Sequence, residues 1–366
     1  MRSLHVGIAG AGLAGRMLAW RLLRAGCRVT LLDVHPRDAA DTASMVAAAM
    51  LSPLAELAVS DAVVFALGQR SMELWPQWIA ELQASSPEAA ANPVYYRQQG
   101  CVVVAHAPDQ SSLAHFTRLL QHKLPSAFQP LVHKLDAAAL GALEPALAGR
   151  FGNGLHLQGE GQLANDQWMA ALAQEIDRLS AVWHTGLEVL ALEPTRMRGR
   201  HAAGASAGDA FDIAVDLVVD ARGVGSKALL TELRGVRGEV LRVECRGVVL
   251  QRPVRLMHPR YQLYVVPRPK HLFVVGATEL ESEDSGPVTL RSMLELGSAL
   301  YSLHPAFGEA RVQSLSSALR PALDNDQPAC KLQDGVWHIN GLYRHGYLCA
   351  PALVDSLTQH ILETQP

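Results

Sequence analysis

An α/β chain built from two interleaved lobes is predicted by three features of the 366-residue sequence. A strand, a glycine turn and a helix open the chain. A later strand ends in a second glycine turn after Asp220. From Glu239 onward, strands follow one another without intervening helices. Alternating strands and helices indicate a parallel sheet, and consecutive strands joined by polar loops indicate an antiparallel one.

The opening segment, LHVGIAGAGLAGRMLAWRLLRAGCRVTLLD, places Gly10, Gly12 and Gly15 at GxGxxG spacing, with Asp33 at the end of the next strand. That constellation is a dinucleotide site. Gly10 permits the tight turn, Gly12 lets a pyrophosphate approach the main chain, and Gly15 lets the helix lie close on the strand. The phosphates then face the helix N-terminus, where the N–H groups of Leu13 and Ala14 and the helix dipole favour negative charge. Gly26 ends the helix.

Composition narrows the function. An apolar content of 49% is that of a globular chain with a sizeable core, and a formal charge of -3 gives no pull toward nucleic acid or anionic membrane. Cys27, Cys101, Cys245, Cys330 and Cys349 are widely spaced and contain no CxxC pair, so no disulfide frame or zinc site is expected and a cytoplasmic location fits. The histidines lack HxxxH and HExxH spacing and no serine lies in GxSxG, so neither a metal centre nor a serine triad is expected. Pro53 and Glu56 interrupt the apolar stretch 45–59, which excludes a membrane span there.

The remaining elements follow in order. Residues 41–56, DTASMVAAAMLSPLAE, are small enough for close backbone approach to a bulky ligand or a helix. A helix is predicted over 61–82, with Trp75 and Trp78 on one face, and VYYRQQGCVVVAH reads as a hairpin leaving the first lobe. A short helix and loop over 135–147 precede a helix over 165–179. LEVLALEP is a strand, GRHAAGASAGD a loose turn, and IAVDLVVDARGVGS a strand with its glycine turn. EVLRVECRGVVL, YQLYVVP and HLFVVGATE then form the second sheet, covered by a helix over 290–303 whose stripe is Leu290, Met293, Leu294, Leu300 and Tyr301. Strand VWHIN, turn GLYRHG and helix APALVDSLTQHIL close the chain. The predicted architecture is a Rossmann-like lobe from 1–88, 147–230 and 311–366, interleaved with a smaller α+β lobe from 89–146 and 231–310 on a mainly antiparallel sheet.

GAGLAG with Asp33, AAAML, VVDARGVGS, RGEVLRV, LYVVPR, VVGATE, ALRPAL and NGLYRHGYLCAP occur in the order found in glycine oxidases. The chain thus resembles the D-amino-acid oxidase family of flavoproteins, and most closely the glycine-oxidase-like proteins of thiazole (thiamine) biosynthesis. The resemblance spans essentially the whole chain and implies FAD rather than NAD. It implies phosphate contacts at Leu13 and Ala14 and ribose contacts at Asp33 and Val34. Ala43, Ser44, Ala48, Ala49 and Met50 would lie along the cofactor, and Val189 would meet the adenine through its backbone. Gly223 and Gly225 would form the second turn, and Leu342, Tyr343, Arg344, His345, Gly346, Tyr347 and Leu348 would wrap the isoalloxazine. The substrate carboxylate would meet Arg320 and Tyr264, with Arg344 nearby. The residue chemistry agrees for Arg320, whose planar fork matches a carboxylate and whose burial unpaired would be costly. An internal salt bridge is the competing reading for Arg320. For Tyr264 it is a core tyrosine, and for Arg344 a solvated or paired turn arginine.

Four positions depart from the family pattern. Asp33 replaces the usual Glu, and Ala49 stands where glycine is common, so an ordinary backbone conformation is expected there. His345 occupies the usual Asn position. Glu279 replaces an apolar methionine near the substrate, where it either favours a cationic or larger amine or points to solvent. The surroundings of Cys330 do not match a covalent flavin attachment, so noncovalent FAD is expected.

The implied activity is oxidation of a small amino acid or amine by hydride transfer from Cα to flavin N5. No side chain is needed as a strong base, and the product is an imine that hydrolyses. The acceptor is dioxygen, giving hydrogen peroxide, or another oxidant, and a homo-oligomer is the family's usual state. Competing readings are an oxidase or dehydrogenase of an N-methylated or larger substrate, a flavin-binding protein with little turnover, and an NAD-linked dehydrogenase.

Overall fold

A computed structural model describes residues 3–202, 204, 207–258 and 262–364. The strands His5–Ala9 and Arg28–Leu32 pair in parallel, Val6 opposite Val29, and both are buried on two faces, by helices on one side and by Leu187, Val189, Met197 and Val215 on the other. They lie within a six-stranded sheet ordered Ala329–Gln333, Val336–Asn340, Leu217–Asp220, His5–Ala9, Arg28–Leu32 and Val182–His184. The strands that lead into the two glycine turns are thus direct neighbours, with Ala9 opposite Asp220.

Helices Leu13–Arg24, Ala62–Gln83 and Asn165–Arg178 are joined by a tryptophan cluster. Trp20 meets Trp78 edge-on at 5.7 Å and Trp168 at 6.1 Å, and Trp75 meets Trp168 at 5.0 Å. Trp75 and Trp78 do share a buried face, as their spacing predicts. Trp75 also reaches the C-terminal turn, donating from Nε1 to the Tyr347 carbonyl at 3.1 Å. The closing helix, Gly346–Thr364, starts earlier than the apolar pattern suggests and absorbs Pro351 within its first two turns.

The second sheet has eight strands, centred on Leu233–Glu244, Leu272–Gly276 and Gln262–Arg268. It is antiparallel except where Val254–Met257 runs parallel to Cys101–Ala105. Its members Asn153–Leu157 and Arg311–Leu323 lie in segments that the sequence reading gives to the nucleotide lobe.

Four local expectations are corrected. Tyr96–Arg97 and Cys101–Ala105 are not a hairpin: the first pairs with Gly161–Leu163 and the second joins the eight-stranded sheet, so Gly100 (φ +84°) turns the chain between sheets. The run IAVDLVVD splits at Val215 and Asp216. Its first half, Ala210–Ala214, belongs to a three-stranded sheet with Leu187–Glu193 and Arg196–His201, and part of the intervening turn lies outside the described residues. The strand predicted from Glu239 through Leu250 instead spans Leu233–Glu244. Helix Leu290–Leu303 does cover the second sheet, but through Leu296, Ala299, Leu300 and Leu303. Leu290, Leu294 and Tyr301 are exposed, because both of its faces carry helical-period apolar residues and the sheet selects one.

Candidate active site

A cavity of about 720 Å³ runs from the first glycine turn to the strand Arg311–Leu323. Its floor is the GAGLAG turn, whose three glycines have different reasons. A Cβ on Gly10 (φ +102°) would lie 2.5 Å from the Ala221 carbonyl oxygen, and one on Gly15 would lie 1.8 Å from the Gly10 oxygen. Both are packing requirements, and Gly15 is the one proposed site residue that does not line the cavity. A Cβ on Gly12 would meet nothing within 4 Å: it points into open cavity at the N-cap of helix Leu13–Arg24. An anion placed there would face the first-turn N–H groups.

Asp33 lines the same end. Its carboxylate accepts from the Ala11 N–H at 2.5 Å and the His35 N–H at 2.8 Å, which fixes it beside the turn. Val34 is partly exposed at the rim, and the Val189 carbonyl already accepts from Arg222 Nη1 at 2.7 Å. The second turn, with Gly223 and Gly225, is anchored by buried Asp220, which accepts from the Arg222 backbone and guanidinium and from the Ser226 hydroxyl. Asn340 Nδ2 donates to the Gly223 carbonyl at 3.0 Å, tying this turn to the third.

The third turn, Leu342 to Leu348, borders the cavity along its length. Tyr347 fastens it, its hydroxyl donating to the Ser44 carbonyl at 2.9 Å. Opposite lie Ala43, Ser44, Ala48, Ala49 and Met50. Arg242 and Arg268 hold this wall by donating to the carbonyls of Met45 and Ala48. The expectation of ordinary backbone at Ala49 is corrected: its φ is +47°, the left-handed region. Pairing of Met50–Leu51 with Gly161–Leu163 and donation from Leu163 N to the Ala49 carbonyl impose it, at a cost of about 1–2 kcal/mol that alanine tolerates.

At the far end stand Arg320 and Tyr264. Among the described residues no hydrogen bond or ion pair holds the Arg320 guanidinium, so the salt-bridge reading finds no partner here. The guanidinium lies flat over Gly238, where a Cβ would come within 2.3 Å of Nη2. Gly238→Ala is therefore expected to displace Arg320 and raise KM for the substrate at least tenfold with cofactor binding intact. An unchanged KM would show that the guanidinium does not need that seat.

Glu279 does not point freely to solvent. It accepts from the Tyr343 hydroxyl at 2.5 Å and from Arg344 Nη1 at 3.0 Å. Burial would raise its carboxyl, but these contacts outweigh burial and hold it below the usual range. Arg344 is also engaged on its other side, with Nε 3.2 Å from Glu56 Oε2.

A family model described as FAD dependent oxidoreductase matches residues 5–359. The "Putative thiamine biosynthesis oxidoreductase ThiO" of Rhizobium etli is 39% identical over 363 residues, covering 99% of this chain and 98% of that one. The chain belongs to the D-amino-acid-oxidase-type family of FAD-dependent oxidoreductases. Solved structures share the fold. Glycine oxidase from Bacillus cereus superposes with a TM-score of 0.82 at 22% identity, covering 100% of this chain and 96% of that one. Iminodiacetate oxidase from Chelativorans gives 0.80 at 20% identity, covering 99% and 97%.

In this FAD-dependent oxidoreductase the open space over Gly12, between two further glycine-containing turns, suits a dinucleotide extending toward the Arg320 end of the cavity. Sequence reasoning missed the group behind that end. Glu56 lines the cavity and accepts from Arg255 Nη2 at 2.8 Å, while its Oε2 faces Arg344 and, at 3.4 Å, His345 Nδ1. Burial would raise the Glu56 carboxyl, but Arg344, Arg255 and His345 together hold it well below the ordinary range. The acid in SPLAE looks like an ordinary first-turn helix residue, and nothing local signals an arginine 199 residues away.

Beyond Arg255 sits Glu160, fully buried and accepting from the Ala55 N–H at 2.7 Å. Burial pushes its carboxyl up to about 7, Arg255 only partly opposing this. A carboxyl raised on folding holds more protons in the folded than in the unfolded chain. Its contribution to stability is present below the unfolded value near 4.5 and is lost as pH rises through about 7. Glu160→Gln is expected to remove that decline, so melting temperatures of the two proteins should converge or cross between about pH 5 and 8. Parallel pH profiles would show that Glu160 titrates normally.

Among the described residues no helix is long and apolar enough to cross a membrane.

Proposed function

We propose that the enzyme binds FAD noncovalently and oxidises a small amino acid or amine at its α carbon, giving an imine that hydrolyses to an oxo acid. The observation that carries this reading is the Arg320 guanidinium, which among the described residues has no hydrogen-bond or ion-pair partner and lines the same cavity as the nucleotide turn. A bidentate guanidinium is the side chain suited to fix a carboxylate in one orientation, and orientation is most of what hydride transfer asks of a protein. Tyr264 would add a hydrogen bond to the same carboxylate. Bound FAD supplies the two-electron acceptor. The N–H groups of the turn from Leu342 to Leu348 would stabilise charge along one edge of the cofactor, and Gly12, Leu13 and Ala14 would receive its pyrophosphate.

Arg344 fits better as a brace that shares its charge between Glu56 and Glu279 than as a carboxylate ligand. With Glu279 engaged by Tyr343 and Arg344, the reason to expect a cationic substrate lapses. The name of the Rhizobium relative supports a role in thiamine biosynthesis, where the imine would be used directly. The test is anaerobic addition of a panel of amino acids, with glycine, sarcosine, D-alanine and D-proline among them, to the purified yellow protein. Bleaching by one or more of them is expected. A flavin that none of them bleaches would overturn the reading and favour a carrier.

A further inference from the structure

Amino acids meet an enzyme mainly as ammonium ions, whereas loss of hydride from Cα needs the nitrogen lone pair. A proton must therefore leave before the proposed reaction, and the site determines where it goes. The acids at the flavin end of the cavity are poor acceptors. Glu56 is held by two arginines, Glu279 by Tyr343 and Arg344, and the tyrosines there are already protonated.

His345 is different. It lies in the third turn, lines the cavity and is fixed by its backbone N–H donating to the Leu342 carbonyl at 2.8 Å. Its Nδ1 faces Glu56 Oε2 at 3.4 Å, and its ring packs edge-on against Tyr343 at 5.9 Å. A carboxylate 3.4 Å from Nδ1, close but not hydrogen-bonded to it here, favours the tautomer that keeps the proton on Nδ1 and leaves Nε2 as the acceptor, and it would stabilise an imidazolium.

We infer that His345, oriented by Glu56, accepts the proton of the substrate ammonium. This rests on the amine-oxidising reading of the site. An ammonium N–H bond breaks with its electron pair staying on nitrogen, and an N–H bond forms at His345 Nε2. The positive charge passes from the amine to the imidazole beside Glu56, and the neutral amine is then ready to lose hydride. The charged and titratable groups around the ring are Glu56, Arg344 and Tyr343, with Arg255, Glu160, Glu279 and the Cys349 thiol behind them.

The test is anaerobic reduction of the holoenzyme by glycine, followed against pH in the wild type and in His345→Asn and His345→Gln. In the wild type the limiting rate should fall on the acid side with a single-proton limb. In both variants that limb should be replaced by one set by the ionisation of glycine itself, so that they run about 10²-fold slower near neutrality and recover toward the wild-type rate at alkaline pH, where free glycine is a neutral amine. A deficit of equal size at every pH, or no deficit, overturns the assignment, since a role in tuning or packing the flavin would not be cancelled by deprotonating the substrate.

A second readout needs no turnover. 2-Aminoisobutyrate has no Cα hydrogen to lose, and on binding it should convert the His345 ring signal to that of imidazolium by NMR, whereas isobutyrate should not. The same response to both overturns the proposal. If no amino acid of the panel bleaches the wild-type flavin, the parent reading falls and this one with it. Bleaching of the wild type with no pH-dependent loss in the variants removes this inference alone.

Discussion

Arg320→Ala is expected to lower kcat/KM for the amino acid by about 30-fold to several-thousand-fold while the protein remains yellow. That range corresponds to the about 2–5 kcal/mol lost when one partner of a desolvated charge pair is removed. The size follows from the setting. Arg320 lies on strand Arg311–Leu323, opposite Val236 of the neighbouring strand, and its guanidinium is seated on Gly238 with Glu279 near enough to feel its charge but, among the described residues, no acid in hydrogen-bond or ion-pair contact with it. Alanine would leave a substrate carboxylate in the cavity with no cation to receive it. Arg320→Lys should recover only part of the loss, because an ammonium restores the charge but not the two parallel hydrogen bonds. The measurement is steady-state kinetics with the flavin content of each variant determined beside it. Wild-type kinetics in Arg320→Ala would remove this residue from the site, and loss of flavin would assign it to the cofactor instead.

Gly12→Val is expected to give a folded, colourless protein. The N-cap backbone of Gly12, φ -72° and ψ -164°, is a conformation that valine adopts, and its Cβ would meet no atom within 4 Å. The fold should therefore accept the substitution with a melting temperature near that of wild-type protein stripped of FAD. The isopropyl group would stand where the pyrophosphate approaches the first-turn N–H groups, so one or two charge-assisted hydrogen bonds of about 1.5–3 kcal/mol each would be lost. Gly15→Val serves as the contrast, because its Cβ would collide with the Gly10 carbonyl and damage the fold itself. Visible absorbance and thermal melting distinguish the two failures. A yellow Gly12→Val protein would contradict the placement of the phosphates.

The parts of the site that were legible in sequence are those that the backbone builds. GAGLAG, ARGVGS and NGLYRHG are strand ends and turns whose glycines follow from local geometry, and all three border one cavity. Arg320 was legible for a related reason, since a guanidinium within the apolar run ALRPAL needs an acid or a ligand to face. The side-chain network behind the Arg320 end of the cavity was not. Glu56 meets Arg255 and Arg344 only after the chain has folded, and each of the three residues alone reads as a solvated charge. Glu279 was singled out, but its partners Tyr343 and Arg344 are more than sixty residues away, so its neutralisation could not be foreseen. The misread hairpin has a similar cause: residues 96–105 carry the right local pattern, and the choice of partner strand is made by distant segments.

Everything proposed for this enzyme depends on FAD lying in the cavity with its ring system facing Arg320. A crystal structure of the purified holoprotein grown with acetate tests this most directly. It is predicted to show the pyrophosphate over Gly12, the isoalloxazine against the turn from Leu342 to Leu348, and the acetate carboxylate held by both terminal nitrogens of Arg320. A flavin bound elsewhere, or an Arg320 turned away from it toward a protein acid, would contradict the account.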